Sequence, residues 1–95
     1  MEKIHNLQLI KFRKEIDKID LELIKILTKR FGITDKVRLF KAKNNLPIED
    51  RNRESEIMQR MEEFAQKYKL NPQLPKAILK LIIREVKRNR IGNKA

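Results

Sequence analysis

The feature that most restricts this chain is a row of residues at alternating spacings of three and four. Leu9, Phe12, Ile16, Ile19, Leu23, Ile26, Arg30, Ile33, Val37 and Phe40 all obey it. Such spacing puts the whole row on one side of an α-helix and forms a heptad-like seam sustained for more than four heptads. Gly32 sits inside the stretch and costs roughly 1 kcal/mol relative to Ala, too little to break the pattern. A helix of about 40 residues is ~60 Å long at ~1.5 Å rise per residue. A compact globule of 95 residues has a radius of gyration of only ~12 Å. One chain cannot wrap such a helix, so its seam calls for a second chain, and an interleaved homodimer is the economical solution. The alternative is a kink near Gly32 that folds the stretch back into a monomeric hairpin.

Helix breakers are few and grouped: Asn44-Asn45-Leu46-Pro47, then Asn71-Pro72 with Pro75, then Gly92. They divide the chain into three helical stretches, at about 5–44, 50–69 and 72–90. The second stretch carries Ile57, Met58, Met61, Phe64, Ala65 and Tyr68 on one face. The third carries Leu74, Ile78, Leu81 and Ile82, with a neighbouring row of Leu79, Ile83 and Val86. Asp50 is the expected N-cap of the second helix, and Asn71, followed by Pro72 at the first helical position, that of the third. The predicted architecture is all-α, one long and two shorter helices in a single domain spanning 1–95, with residues 1–6 and 91–95 as flexible ends. The start of the chain has no continuous apolar run, so neither a signal peptide nor a membrane span is expected, and a soluble cytoplasmic protein is.

Composition then excludes several kinds of chemistry. With no Cys and a single His, His5, there is no disulfide framework, no thiolate metal site and no imidazole pair for zinc. Ser55 is the only serine, which leaves little for nucleophilic catalysis. Lys and Arg number 24 against 13 Asp and Glu, a net charge of +11, and this implies an anionic partner.

The informative charges are those on apolar faces. Arg30 takes a seam position between Ile26 and Ile33, where an unpaired guanidinium is expensive and asks for an anion. Lys41, eleven residues later, projects within ~20° of Arg30 at ~100° per residue. Asp50, Arg53 and Glu54 extend the Ile57–Met58–Met61 face, and Arg90 follows Leu79, Ile83 and Val86 at spacings of four, three and four. Each has a plainer explanation. Arg30 could set register in a seam, and Lys41 could complement a helix C-terminus. Asp50 could be only a cap, Arg53 and Glu54 a solvated first turn, and Arg90 part of a basic tail with Lys87 and Arg88. Taken jointly, inward cations with one or two carboxylates suit a small polyanion that carries a hydroxyl.

The run Phe12-Arg13-Lys14-Glu15-Ile16-Asp17-Lys18-Ile19-Asp20, then Arg30, Val37 and Lys41, then Leu46-Pro47-Ile48-Glu49-Asp50-Arg51-Asn52-Arg53-Glu54, resembles the all-helical chorismate mutases (the AroQ class) over roughly residues 7–90. The resemblance implies an intertwined homodimer and the rearrangement of chorismate to prephenate on the route to Phe and Tyr, with no cofactor and no metal. It assigns Arg13 to a substrate carboxylate across the subunit boundary and Arg30 to the other carboxylate. Lys41 is implied as donor to the ether oxygen, Arg53 as a site arginine, Glu54 as the acid bonding the ring hydroxyl, and Asp50 as its neighbour. A pericyclic shift needs no nucleophile or general base; it needs a folded substrate and cations where the ether oxygen gains charge. Two positions depart from the family pattern. Val86 stands where a Ser or Thr usually binds a carboxylate, and Arg90 stands where a Gln or Glu usually bonds the ether oxygen. These departures keep open an isochorismate-pyruvate lyase or a chorismate-binding domain without activity. A basic nucleic-acid binder is the reading from another class, but helix-turn-helix spacing and stacking aromatics are missing.

Overall fold

The computed structural model describes residues 2–90; the side chains of Glu2, Ile4, Asn89 and Arg90 lie outside that description. Three helices follow in order: α1 (Glu2–Lys43), α2 (Arg51–Lys67) and α3 (Gln73–Arg90). Among the described residues there is no strand, so the chain is all-α. α1 passes through Gly32 as unbroken helix, which removes the kinked hairpin. None of the described helices is long and apolar enough to cross a membrane. The chain forms two compact units, Met1–Asp35 and Lys36–Ala95.

The connections are set by backbone chemistry at the helix ends. After α1, Asn45 takes a positive φ of 53°. The Leu46 N–H then donates to the Lys41 carbonyl at 2.9 Å and the Asn45 N–H to the Ala42 carbonyl at 3.4 Å. This paired arrangement satisfies carbonyls that the helix end leaves free, and Asn tolerates the left-handed conformation. α2 ends the same way. Lys69 has φ 58°, the Leu70 N–H donates to Ala65 at 2.8 Å and the Lys69 N–H to Gln66 at 3.4 Å. Here a lysine holds the position that Gly usually fills.

Both expected N-caps are present. The Asp50 carboxylate accepts from the Arg53 N–H at 3.0 Å, and the Asn71 side-chain oxygen accepts from the Gln73 N–H at 3.0 Å. Pro75 has no N–H to give to the Asn71 carbonyl. The Leu74 N–H takes that acceptor instead, at 3.0 Å.

Within the second unit, α2 and α3 run antiparallel, as the cross-pairs Glu62–Lys76 and Glu54–Lys87 show. Their shared core is small: Ile57, Ala65 and Ile82 are buried, with Met58, Met61, Leu79, Ile83 and Val86 half-buried around them. The fully enclosed Ala65 presents only a methyl group and leaves room for α3 to come close. The apolar faces read from the sequence therefore split in two. Phe64 on α2, Tyr68 at its C-cap, and Leu74, Ile78 and Leu81 on α3 remain exposed.

In the first unit, the seam residues Leu9, Phe12, Ile16, Ile19, Leu23, Ile26 and Ile33 are all exposed. So are Leu7, Ile10, Leu21 and Ile24, which at ~100° per residue fall on the opposite side of α1. A helix that is apolar on two sides is one made to be enclosed.

Candidate functional site

The second unit brings three of the expected site residues, Lys41, Asp50 and Glu54, around one short loop, residues 44–50. Lys41, half-buried in the last turn of α1, reaches forward so that its Nζ donates to the Ile48 carbonyl at 3.4 Å. Two residues on, Asp50 caps α2. Its Oδ1 accepts from the Arg53 backbone N–H, so Asp50 does cap α2. Glu54, in the first turn of α2, is half-buried, and a carboxylate there is favoured by the positive end of the helix.

Opposite that turn stands a residue that periodicity assigns to the basic tail. Lys87 of α3 places its Nζ 3.0 Å from Glu54 Oε2 and 3.5 Å from Glu49 Oε1. The Glu54 hydrogen bond raises the lysine pKa above its ordinary 10.5; burial works against this, while the charges of Glu54 and Glu49 add to it. The sequence signal was available only in pairs: Lys87 follows Lys80 and Arg84 at spacings of seven and three, on the side of α3 that meets α2. Arg51, Glu54 and Ser55 from α2 with Lys80, Arg84 and Lys87 from α3 line an open groove between the two helices.

The other expected residues fall as follows. Arg53 bonds the Glu56 carboxylate at 2.8 Å with 51% of its side chain exposed, so in this chain its guanidinium serves a surface pair on its own helix. Val86 is half-buried on α3. Arg90 ends α3, and its side chain lies outside the described residues. Arg13 and Arg30 belong to the first unit, Arg13 exposed and Arg30 half-buried. Among the described residues no group of three or more His, Cys, Asp or Glu could hold a metal ion.

Among the described residues the protein is all-helical, with charged side chains gathered at the 44–50 loop and along the groove between α2 and α3. The pattern of chorismate mutase type II matches residues 12–90, and the chain belongs to that family. It is 34% identical over 80 residues to the bifunctional chorismate mutase/prephenate dehydratase of Buchnera aphidicola subsp. Acyrthosiphon pisum, covering 84% of this chain and 21% of that protein. The protein of the same description from Buchnera aphidicola subsp. Schizaphis graminum is 34% identical over 77 residues, 81% of this chain and 20% of the relative. That from Aquifex aeolicus is 39% identical over 54 residues, 57% of this chain and 15% of the relative. The chain thus spans about a fifth or less of the length of these curated relatives.

Proposed function

We propose that this protein is a cytoplasmic chorismate mutase that converts chorismate to prephenate by a Claisen rearrangement, working as an intertwined homodimer. The observation that carries the reading is the convergence of Lys41, Asp50 and Glu54 on the 44–50 loop, in a chain of the chorismate mutase type II family. Lys41 would leave the Ile48 carbonyl to donate to the ether oxygen, where negative charge grows as the C–O bond lengthens. Glu54 would accept from the ring hydroxyl. Arg30, Arg53 and the partner's Arg13 would clamp the two carboxylates and hold the enolpyruvyl chain over the ring, for which bidentate guanidinium pairing is well suited. Arg53 would exchange Glu56 for substrate. Arg90 would supply a second cationic donor near the ether oxygen, and Val86 an apolar contact in place of a hydroxyl.

The exposed apolar surface supports the homodimer. Only Ile57, Ala65 and Ile82 form the buried apolar core of the described chain, while both sides of α1 and the outer rows of α2 and α3 are uncovered. A second copy of the same chain can bury such surface symmetrically.

The test is incubation of the purified protein with chorismate and, separately, with isochorismate, assaying prephenate and pyruvate. Prephenate from chorismate is the expected product. Pyruvate from isochorismate alone would make the protein a lyase. Binding without turnover would leave a chorismate-binding domain.

A further inference from the structure

Lys87 is set apart from the other cations of α3. Lys80 and Arg84 line the same groove but form no ion pair among the described residues, whereas Lys87 bridges Glu54 on α2 and Glu49 in the preceding loop. One ammonium group therefore holds both flanks of the Asp50 cap. The Lys87 and Glu54 side chains are 36% and 33% exposed, so neither swings freely in solvent.

We propose that Lys87 is a positioning residue that presets the Glu54 carboxylate as the acceptor for a ligand hydroxyl. With its Oε2 bonded to the Lys87 ammonium, the Glu54 carboxylate is held in one orientation, and an ionised carboxylate can only accept hydrogen bonds. A ligand must then bring a donor to that end of the site. One that lacks it leaves a desolvated acceptor unmet, the kind of loss by which polar sites reject analogues missing a hydroxyl. The tie to Glu49 also fixes the loop that carries Asp50 and the Ile48 carbonyl, so the acceptor and the resting partner of Lys41 share one anchor. The inference rests on the proposed role of Glu54 in hydroxyl recognition.

The experiment compares the full-length protein with Lys87→Met, which keeps length and removes charge, and with Lys87→Arg, which keeps charge. Chorismate turnover is measured, and calorimetry follows two cyclic dicarboxylates that differ only in a ring hydroxyl. Lys87→Met should raise KM by about fivefold, the upper range for a partly exposed ion pair, with a smaller change in kcat. It should weaken the hydroxylated ligand by the same factor, leave the other within about twofold, and be rescued by Lys87→Arg. Equal loss for both ligands, or loss for neither, overturns the proposal. A ligand-free arm tests the pair itself: urea midpoints of Lys87→Met, Glu54→Gln and the double variant should be non-additive. Additive midpoints overturn the proposal whatever the activity. Coupled midpoints in a wild-type protein that neither turns over chorismate nor binds either dicarboxylate would refute the chorismate assignment, and with it the substrate role of Lys87, while leaving the ion pair standing.

Discussion

Ile19 offers a quantitative test of how α1 is covered. It lies in the middle of the seam with 61% of its surface exposed. Full burial of such a side chain stabilises by ~1.5–3 kcal/mol, so covering the exposed share contributes ~1–2 kcal/mol per chain. In a twofold dimer the same position occurs twice, giving ~2–4 kcal/mol. Ile19→Ala removes most of this and should raise the dimer dissociation constant by roughly 30- to 1,000-fold. Lys18→Ala, one residue away and off the seam, should change it by less than about threefold, within the usual range for surface substitutions. Sedimentation equilibrium across a range of protein concentrations measures the constant, and circular dichroism at the same concentrations reports helix content. Helix content should fall on dilution together with the dimer, sooner in Ile19→Ala. A wild-type protein that stays monomeric and fully helical at micromolar concentration would refute the reasoning, because the seam would then be stable in water.

Three further outcomes are expected. Arg30→Ala should abolish chorismate turnover while leaving helix content intact, whereas Arg90→Ala should lower kcat far more than it raises KM; loss of assembly in Arg30→Ala would return that residue to a register role. Lys69→Gly should stabilise the protein by ~0.5–1 kcal/mol in urea denaturation, because φ 58° strains an L-residue, and no gain would mean that the lysine side chain offsets the strain. Because Lys87 has a folded pKa above its ordinary 10.5, its contribution is complete below that value and lost as pH rises through the folded pKa. The stability difference between wild type and Lys87→Met should thus be constant from neutral pH to about pH 10 and shrink above it; a difference with no alkaline loss would mean that the ammonium does not sustain the pair.

The three helices and both N-caps were legible because each depends on local chemistry. Periodicity defined α1 before any contact was known, and Asp50 and Asn71 cap as their side chains dictate. The C-terminal turns were less legible, since Asn45 and Lys69 adopt a conformation that composition alone would assign to Gly. Site residues were legible only as anomalies, charges on faces expected to be apolar. Lys41, Asp50 and Glu54 stand out in this way, whereas Lys87 sits among other basic residues and breaks no local rule.

What the amino-acid sequence determines by itself is the set of helices, their lengths, and an apolar face on α1 too long for one chain to enclose. These follow from spacing and capping, which act over a few residues. What only the tertiary structure decides is which half of each apolar face meets a neighbour and which charges pair. Ile82 turns toward α2 while Leu81 beside it stays exposed. Lys87 finds Glu49 and Glu54 across more than thirty positions of chain, although Lys80 and Arg84 are also cations on the same groove. Both outcomes depend on the antiparallel approach of α2 and α3, which fixes the level and rotation of each helix against the other, and helical periodicity contains neither quantity.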